Sequence, residues 1–200
     1  ICHGVGSPLV WRKYLSKRIE DAGNSDILSV SMRDKTYGWR RFYMRIDFIN
    51  GTRYHKRQDV DTYLNGFICN LFLRPSCYKC EHKHFPRNSD FTIADFWNID
   101  VVMKKNDDNI GTSLMLINTE KGRVLFEQFK GTMLTQKVRV KDAIEDNFAV
   151  LNSVPEHSKR KFFFSNIEHN NIDKQINCCL NQSLKNRLNC MLRKIKRVIR

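Results

Sequence analysis

Short stretches in which apolar and polar residues alternate predict β-strands early in the chain and again near its middle. Between two of these stretches stands Asn50-Gly51, a dipeptide that favours the tight turn of an antiparallel hairpin because both residues accept a positive φ. The predicted strands are residues 27–33, 42–49, 53–55, 91–96 and 114–117.

Apolar residues at helical spacing separate these strands. The first predicted helix follows a tight turn at 2–8, where Ser7 fits the N-cap and Pro8 the first helical position, and it runs to about Gly23. Because helices and strands are interspersed and one hairpin is antiparallel, the sequence predicts a mixed α/β (α+β) class, with a mixed sheet and flanking helices. The other predicted helices are 59–71, 119–129, 140–148 and 155–165.

The C-terminal part of the chain differs from the rest in charge. Residues 172–182 are polar and predict a connector, and residues 184–200 have apolar residues on one helical face and basic residues on the other. Eight Lys or Arg residues and no acid stand from 174 to 200, in a chain of formal net charge +14. We therefore expect a domain at 1–168, followed at 169–200 by a basic connector and an amphipathic helix.

Composition narrows the class of protein. The chain has 200 residues, of which 41% are hydrophobic and 28% charged, as in soluble globular proteins. No run of about 18 apolar residues predicts a transmembrane helix. Seven cysteines, with one Cys-x-x-Cys and one adjacent pair, favour metal-binding thiols over a disulfide scaffold, so we expect a reducing, cytoplasmic location.

Cys77 and Cys80 form the sharpest local feature of the sequence. Two thiolates separated by two residues can hold one metal ion or one edge of a cluster, because a tight turn puts both sulfurs on one side. Cys2 is the candidate third ligand, since Gly4 and Gly6 after it allow close backbone approach and a following helix N-terminus favours the thiolate. A buried, unligated Cys2 is the alternative.

A zinc site is the alternative for the same cysteine pair. His82 and His84 follow Cys80, but their short spacing makes joint chelation awkward. The charged residues Glu81, Lys83 and Arg87 predict a solvated loop. The alternative functions are a zinc-binding module that contacts nucleic acid through the basic tail, and a structural interaction module. Nucleic acid is not the expected partner, because the positive charge is segregated from the cysteines.

A second set of candidate residues lies at turns and strand ends. Cations and an indole gather around the turn at 33–40, where they can bind an anionic ligand that contains a ring, although a solvated hairpin end is the alternative. An acid beside aromatic residues ends the strand at 91–96, for which core packing is the alternative. The candidate residues of this set are Arg33, Lys35, Trp39, Asp95, Trp97 and Thr112.

These segments stand in the order of five motifs of one family. Residues 2–8 (Cys-His-Gly-Val-Gly-Ser-Pro) and residues 73–80 (Leu-Arg-Pro-Ser-Cys-Tyr-Lys-Cys) carry the cysteines. The other three motifs are Arg-Asp-Lys with Gly-Trp at 33–39, Ser-Asp-Phe-Thr-Ile-Ala-Asp-Phe-Trp at 89–97 and Gly-Thr-Ser at 111–113. Over roughly residues 1–130, the chain resembles the carboxyl-terminal domain of the coenzyme F420 hydrogenase/dehydrogenase beta subunit.

The resemblance implies an electron-transfer oxidoreductase that passes electrons between a [4Fe–4S] cluster and FAD or a deazaflavin. It identifies Cys2, Cys77 and Cys80 as cluster ligands, with the fourth ligand expected in an upstream ferredoxin-like, flavin-binding half that precedes this chain. Further candidate cofactor contacts, besides the second set above, are His3, Gly4, Gly6 and Ser7.

The resemblance also bears on partners. Besides the upstream half, we expect a redox partner protein or the deazaflavin coenzyme itself. Similar proteins accompany polysaccharide-synthesis genes in bacteria, which is an alternative context. The basic helix at 184–200 can dock on the anionic inner face of a membrane, and packing on the protein or on a partner is the alternative.

Overall fold

A computed structural model of the chain describes residues 1–145, 147–168 and 171–180. It contains interspersed helices and strands, so the predicted mixed class is confirmed. The helices are α1 (Pro8–Asp21), α2 (Thr62–Ile68), α3 (Ile99–Val102), α4 (Glu120–Phe129), α5 (Val140–Ile144), α6 (Phe148–Leu151), α7 (Arg160–Ser165) and α8 (Ile172–Leu180). The strands are β1 (Ile27–Asp34), β2 (Tyr43–Phe48), β3 (Arg53–Arg57), β4 (Phe91–Asp95) and β5 (Ser113–Ile117).

The strands form two antiparallel sheets rather than one, because the loop that carries the Cys-x-x-Cys motif separates β3 from β4. The first sheet has the order β1-β2-β3, and the second pairs β4 with β5. The predicted hairpin joins β2 to β3: Gly51 has φ +82° and donates its N–H to the oxygen of Phe48 at 3.0 Å. The Asn50-Gly51 prediction is therefore confirmed.

The first hydrophobic core lies between the three-stranded sheet and helices α1, α2, α7 and α8. Strand β2 alternates buried and half-buried residues, so one of its faces supplies side chains to this core. The aromatic and aliphatic residues at the centre of the core are Val10, Tyr14, Met44, Ile46, Phe72, Phe163 and Ile176.

Residues 172–180 form helix α8 and not the predicted polar connector. Ile172, Ile176 and Cys179 recur at helical spacing and are buried in the first core. Gln175 is buried as well and donates to the main-chain oxygen of Phe163 at 3.2 Å. Because a few buried positions suffice to dock a short helix, the polar composition of this stretch misled the prediction. The predicted basic helix at 184–200 lies outside the described residues.

A buried carboxylate joins α1, β3 and α2 inside the first core. Asp61 is fully buried and caps α2 by accepting the N–H of Leu64 at 2.7 Å. It also accepts the hydroxyls of Tyr14 at 2.6 Å and Tyr54 at 2.8 Å. Burial, together with the nearby carboxylate, raises the pKa of both tyrosines. The Arg18 guanidinium lies 4.9 Å from both tyrosine rings, so the network packs as one unit.

The second core lies between the β4–β5 sheet and the short helices α3, α5 and α6. Its buried side chains are Ala94, Phe96, Ile99, Leu114, Ala143 and Val150. Asn147, before α6, donates to the main-chain oxygen of Asp95 at 2.9 Å and so fixes the end of β4. Across the described ranges, no helix is long and apolar enough to cross a membrane.

Candidate functional site

One cavity of about 440 Å³ contains the three predicted ligand cysteines, Cys2, Cys77 and Cys80. It lies where the segment that precedes α1 crosses a 3₁₀ turn at Pro75–Lys79 and the loop after that turn. The structure thus brings together thiols that are 75 positions apart in the chain. The other residues of the lining are His3, Gly4, Val5, Ser76, Lys79, Glu81, His82 and Lys83.

Main-chain hydrogen bonds fix the two segments that carry the thiols. The N–H of Arg74 donates to the oxygen of Val5 at 2.8 Å, and Gly6 forms an antiparallel bridge with Leu73. Pro75 begins the 3₁₀ turn, which its fixed φ suits, so the Pro-Ser-Cys sequence starts the predicted tight turn. The long-range pairing and the local turn together bring the cysteines to the same cavity.

Each thiol has a defined neighbour. The Cys77 sulfur accepts the N–H of Val5 at 3.2 Å, which fixes its position against the Cys2 segment. The Cys2 sulfhydryl donates to a nearby main-chain oxygen at 3.6 Å. Cys80 is anchored through its own N–H, which donates to the Ser153 hydroxyl at 2.9 Å. All three thiols are free, so none is blocked by a disulfide.

Contacts with protein side chains explain the glycines before α1. A Cβ atom at Gly4 would lie 2.7 Å from Leu73 Cδ1, and one at Gly6 would lie 2.6 Å from the Tyr63 hydroxyl. Gly6 therefore lets the Cys2 segment pack directly on Tyr63 of the first core, and Gly4 lets it pack on the buried side chain of Leu73. Gly4 also lines the cavity, whereas Gly6 and Ser7 lie outside its lining and hold the segment in place.

His3 lies on the inner side of the cavity. Its Nε2 atom is 3.3 Å from the main-chain oxygen of Phe67, and the two rings are 5.1 Å apart. Burial lowers the pKa of His3, and the ammonium of Lys83 lowers it further. The imidazole is therefore neutral at pH 7, with the Nε2 proton directed at the Phe67 oxygen.

Lys83 is a residue of this cavity whose burial the sequence does not predict. It was expected on a solvated loop, but it is only 7% exposed, and its ammonium donates to the oxygens of Cys2 and, at 2.9 Å, of Ala149. Burial lowers the pKa of Lys83, while the three cavity thiols oppose that shift. No periodicity or spacing marks this lysine, because its burial depends on α6, a distant segment.

The rest of the loop is partly as predicted. His82 and His84 are exposed, but Arg87 is half-buried and donates to the main-chain oxygens of His82 and Val150. The expectation of a solvated loop is thus wrong for Lys83 and Arg87. Both side chains are held against α6, because the main-chain oxygens of Ala149 and Val150 accept hydrogen bonds from Lys83 and Arg87, respectively.

A zinc ion and an iron–sulfur cluster need different arrangements of their ligands. In the part of the chain that the structure describes, no three His, Cys, Asp or Glu side chains are arranged to hold one metal ion. A structural zinc ion needs four donors within about 2.0–2.3 Å of one point. A [4Fe–4S] cluster binds its thiolates at different iron atoms. The three cavity thiols are therefore candidate ligands for either kind of site.

The second predicted set lies at the junction between the two cores, and none of it lines the cysteine cavity. Trp39, 1% exposed, stacks on Trp97 with ring centroids 4.5 Å apart, and Trp97 keeps 40% of its surface exposed. Arg33 forms an ion pair with Asp95 at 3.3 Å. Lys35 donates to a main-chain oxygen of the loop before β5 at 3.1 Å. Trp39 is therefore buried at this junction, whereas Arg33, Lys35 and Tyr37 of the same turn are exposed, as in the solvated-hairpin alternative.

The loop before β5 completes the junction. The oxygen of Thr112 accepts the N–H of Phe96 at 2.9 Å, which continues the pairing of β4 with β5. Gly111 has φ +112°, and a Cβ atom there would lie 2.9 Å from Trp39 Cδ1. The main-chain oxygen of Asn109 accepts the N–H of Trp39 at 2.6 Å. Only glycine combines this backbone conformation with such close contact to the indole.

Comparison with known proteins gives one family. The family described as the carboxyl terminus of the coenzyme F420 hydrogenase/dehydrogenase beta subunit matches residues 1–142. No curated protein and no solved structure matches the chain. The matched range includes both cysteine segments and the whole Trp39–Trp97 junction, and it ends within α5.

Proposed function

We propose that this chain, which belongs to the coenzyme F420 hydrogenase/dehydrogenase beta subunit family, is the cluster-binding part of an iron–sulfur oxidoreductase. In this proposal, electrons pass between a [4Fe–4S] cluster and FAD or a deazaflavin coenzyme. The observation that carries the proposal is the convergence of Cys2, Cys77 and Cys80 on one cavity of about 440 Å³.

The three cysteines would bind the cluster as thiolates, and the cluster, when bound, supplies one-electron transfer. Cys77 already accepts the main-chain N–H of Val5, which fixes its position against the Cys2 segment. The fourth ligand would come from a partner domain or subunit that closes the open side of the cavity. Partner domains or subunits are expected, because the family is defined by the carboxyl-terminal part of one subunit.

A flavin or deazaflavin contact would lie at the junction between the cores. Trp97 offers a half-exposed indole, and the cationic Arg33 lies close by through its ion pair with Asp95. An isoalloxazine-type ring can stack on such an indole while a cation pairs with its phosphates. Trp39 would support this surface from behind, because it is buried and stacked on Trp97.

The test is anaerobic purification of the intact protein, followed by analysis of iron, sulfide, zinc and flavin and by the visible spectrum. We expect about four irons and four sulfides per chain, as in a [4Fe–4S] protein. Cys77→Ser should strip the cluster, whereas Cys178→Ser, which changes an exposed cysteine outside the cavity, should leave it bound. Stoichiometric zinc without iron would contradict the proposal.

A further inference from the structure

The ammonium of Lys83 is a buried cation without a carboxylate partner. It is 7% exposed, and within the described ranges it forms no ion pair with Asp or Glu. Its two acceptors are main-chain oxygens, on Cys2 and on Ala149 of α6. Burial of an unpaired charge is costly unless an anionic group lies nearby. The cavity that Lys83 lines also contains the thiols of Cys2, Cys77 and Cys80 and the carboxylate of Glu81, which forms no ion pair with Lys83 among the described residues.

We propose that Lys83 is a positioning residue for the cluster: it ties the Cys2 segment to α6 and puts a fixed positive charge beside the cluster. This inference rests on the proposed function and goes beyond it, because it assigns the control of the reduction potential to one side chain. The two main-chain acceptors keep the ammonium at the cavity wall whatever the charge of the bound group.

The charge of the cluster explains the expected effect. One-electron reduction adds one negative charge to the cluster, and the electron donor loses that electron. A fixed cation in a site of low polarity attracts the more negative, reduced state more strongly than the oxidised state. Net charge and hydrogen bonding near a cluster set its reduction potential. Lys83 therefore makes the cluster easier to reduce.

The experiment compares midpoint potentials, measured by spectroelectrochemical titration of the anaerobically purified intact protein, together with iron content. Lys83→Met and Lys83→Gln remove the charge, and glutamine still donates to a main-chain oxygen. We expect the reduced cluster to be about tenfold harder to form in both variants, which is about 59 mV for a one-electron couple. Lys83→Arg keeps the positive charge, and Lys121→Met removes the charge of an exposed lysine on α4. In both controls the equilibrium constant for reduction of the cluster should stay within about twofold of the value for the unmodified protein.

The outcomes separate this inference from the proposed function. A protein without iron overturns both. A protein with a cluster whose potential is the same in the methionine and glutamine variants overturns the inference alone. If both neutral variants lose the cluster and Lys83→Arg retains it, the need for the cation is supported. Loss of the cluster in all three variants would show that only the lysine's shape matters and would overturn the electrostatic role.

Discussion

Replacement of Asp61 by alanine removes the acceptor at the centre of the first core. The carboxylate is fully buried and accepts one helix N–H and two tyrosine hydroxyls, at 2.6–2.8 Å. Alanine leaves the hydroxyls of Tyr14 and Tyr54 without this acceptor, at a site where water has little access. It also uncaps α2 at its first turn.

The expected loss follows from these three bonds. Loss of an N-cap costs about 1 kcal/mol, and each buried polar group left unpaired costs about 1–3 kcal/mol. Together they lower the free energy of unfolding by about 4 kcal/mol. Domains have about 5–15 kcal/mol in total, so Asp61→Ala should leave the chain close to its stability limit. Tyr54→Phe removes one bond of the three, so we expect a loss of about 1.5 kcal/mol.

Urea unfolding followed by circular dichroism measures this change. With a slope of about 2 kcal/mol per molar urea, the Asp61→Ala midpoint should fall by about 2 M. The matched control is Asp59→Ala, which changes an exposed carboxylate paired with Arg57 at 2.5 Å. Surface pairs contribute about 0–1 kcal/mol, so the control should shift the midpoint by less than about 0.5 M. Equal midpoints for the two variants would refute the importance of the buried network.

Two further predictions concern a titrating residue and a close contact. Burial lowers the pKa of His157 below its ordinary value of 6.5, and the nearby Lys159 lowers it further. The contribution of His157 to the free energy of unfolding is therefore complete above pH 6.5 and is lost as the pH falls through the pKa of the folded state. NMR titration should find that pKa below 6.5 in the unmodified protein and closer to 6.5 in Lys159→Gln. Gly111→Ala places a methyl group against Trp39 at a residue with positive φ. Urea unfolding followed by tryptophan fluorescence should show a loss of about 1–3 kcal/mol in the free energy of unfolding. In the control Gly131→Ala the new methyl group meets open space, so its free energy of unfolding should hardly change. Equal stability of the two alanine variants would contradict the packing argument.

Features fixed by neighbouring residues were predictable from the sequence. The hairpin depends on Asn50-Gly51, whose backbone preferences select the turn. Helix α1 begins at Pro8 as predicted, and Ser7 occupies the N-cap position, although its side chain forms no capping hydrogen bond. The pairing of β4 with β5 was not predictable, although both strands were, because alternation identifies a strand without naming its partner. The division into two sheets follows from these pairings.

The residues that sequence reasoning misread are those whose burial depends on a distant segment. Residues 172–180 contain enough polar side chains to indicate a connector, yet Ile172 and Ile176 dock them on the first core. Lys83 stands in a run of charged residues, yet it is buried because its ammonium donates to the main-chain oxygens of Cys2 and Ala149. The contacts of Lys83 are with residues more than 60 positions away in the sequence, and residues 172–180 are docked by a few of their own side chains. Local sequence patterns report neither kind of contact.

The cysteine cavity combines both kinds of information. The turn at 75–80 follows from local sequence, since Pro75 starts a 3₁₀ turn that presents Cys77 and Cys80 to the cavity. The position of Cys2 at the same cavity depends on the pairing of its segment with residues 73–74, which Gly4 and Gly6 permit through their close contacts with Leu73 and Tyr63. Gly4 and Gly6, which the sequence suggests as cofactor contacts, thus also have a role in packing their segment. The position of Cys2 in the cavity and the packing of residues 2–8 therefore depend on the same short segment, so a change that loosens its packing should also separate the Cys2 thiol from those of Cys77 and Cys80.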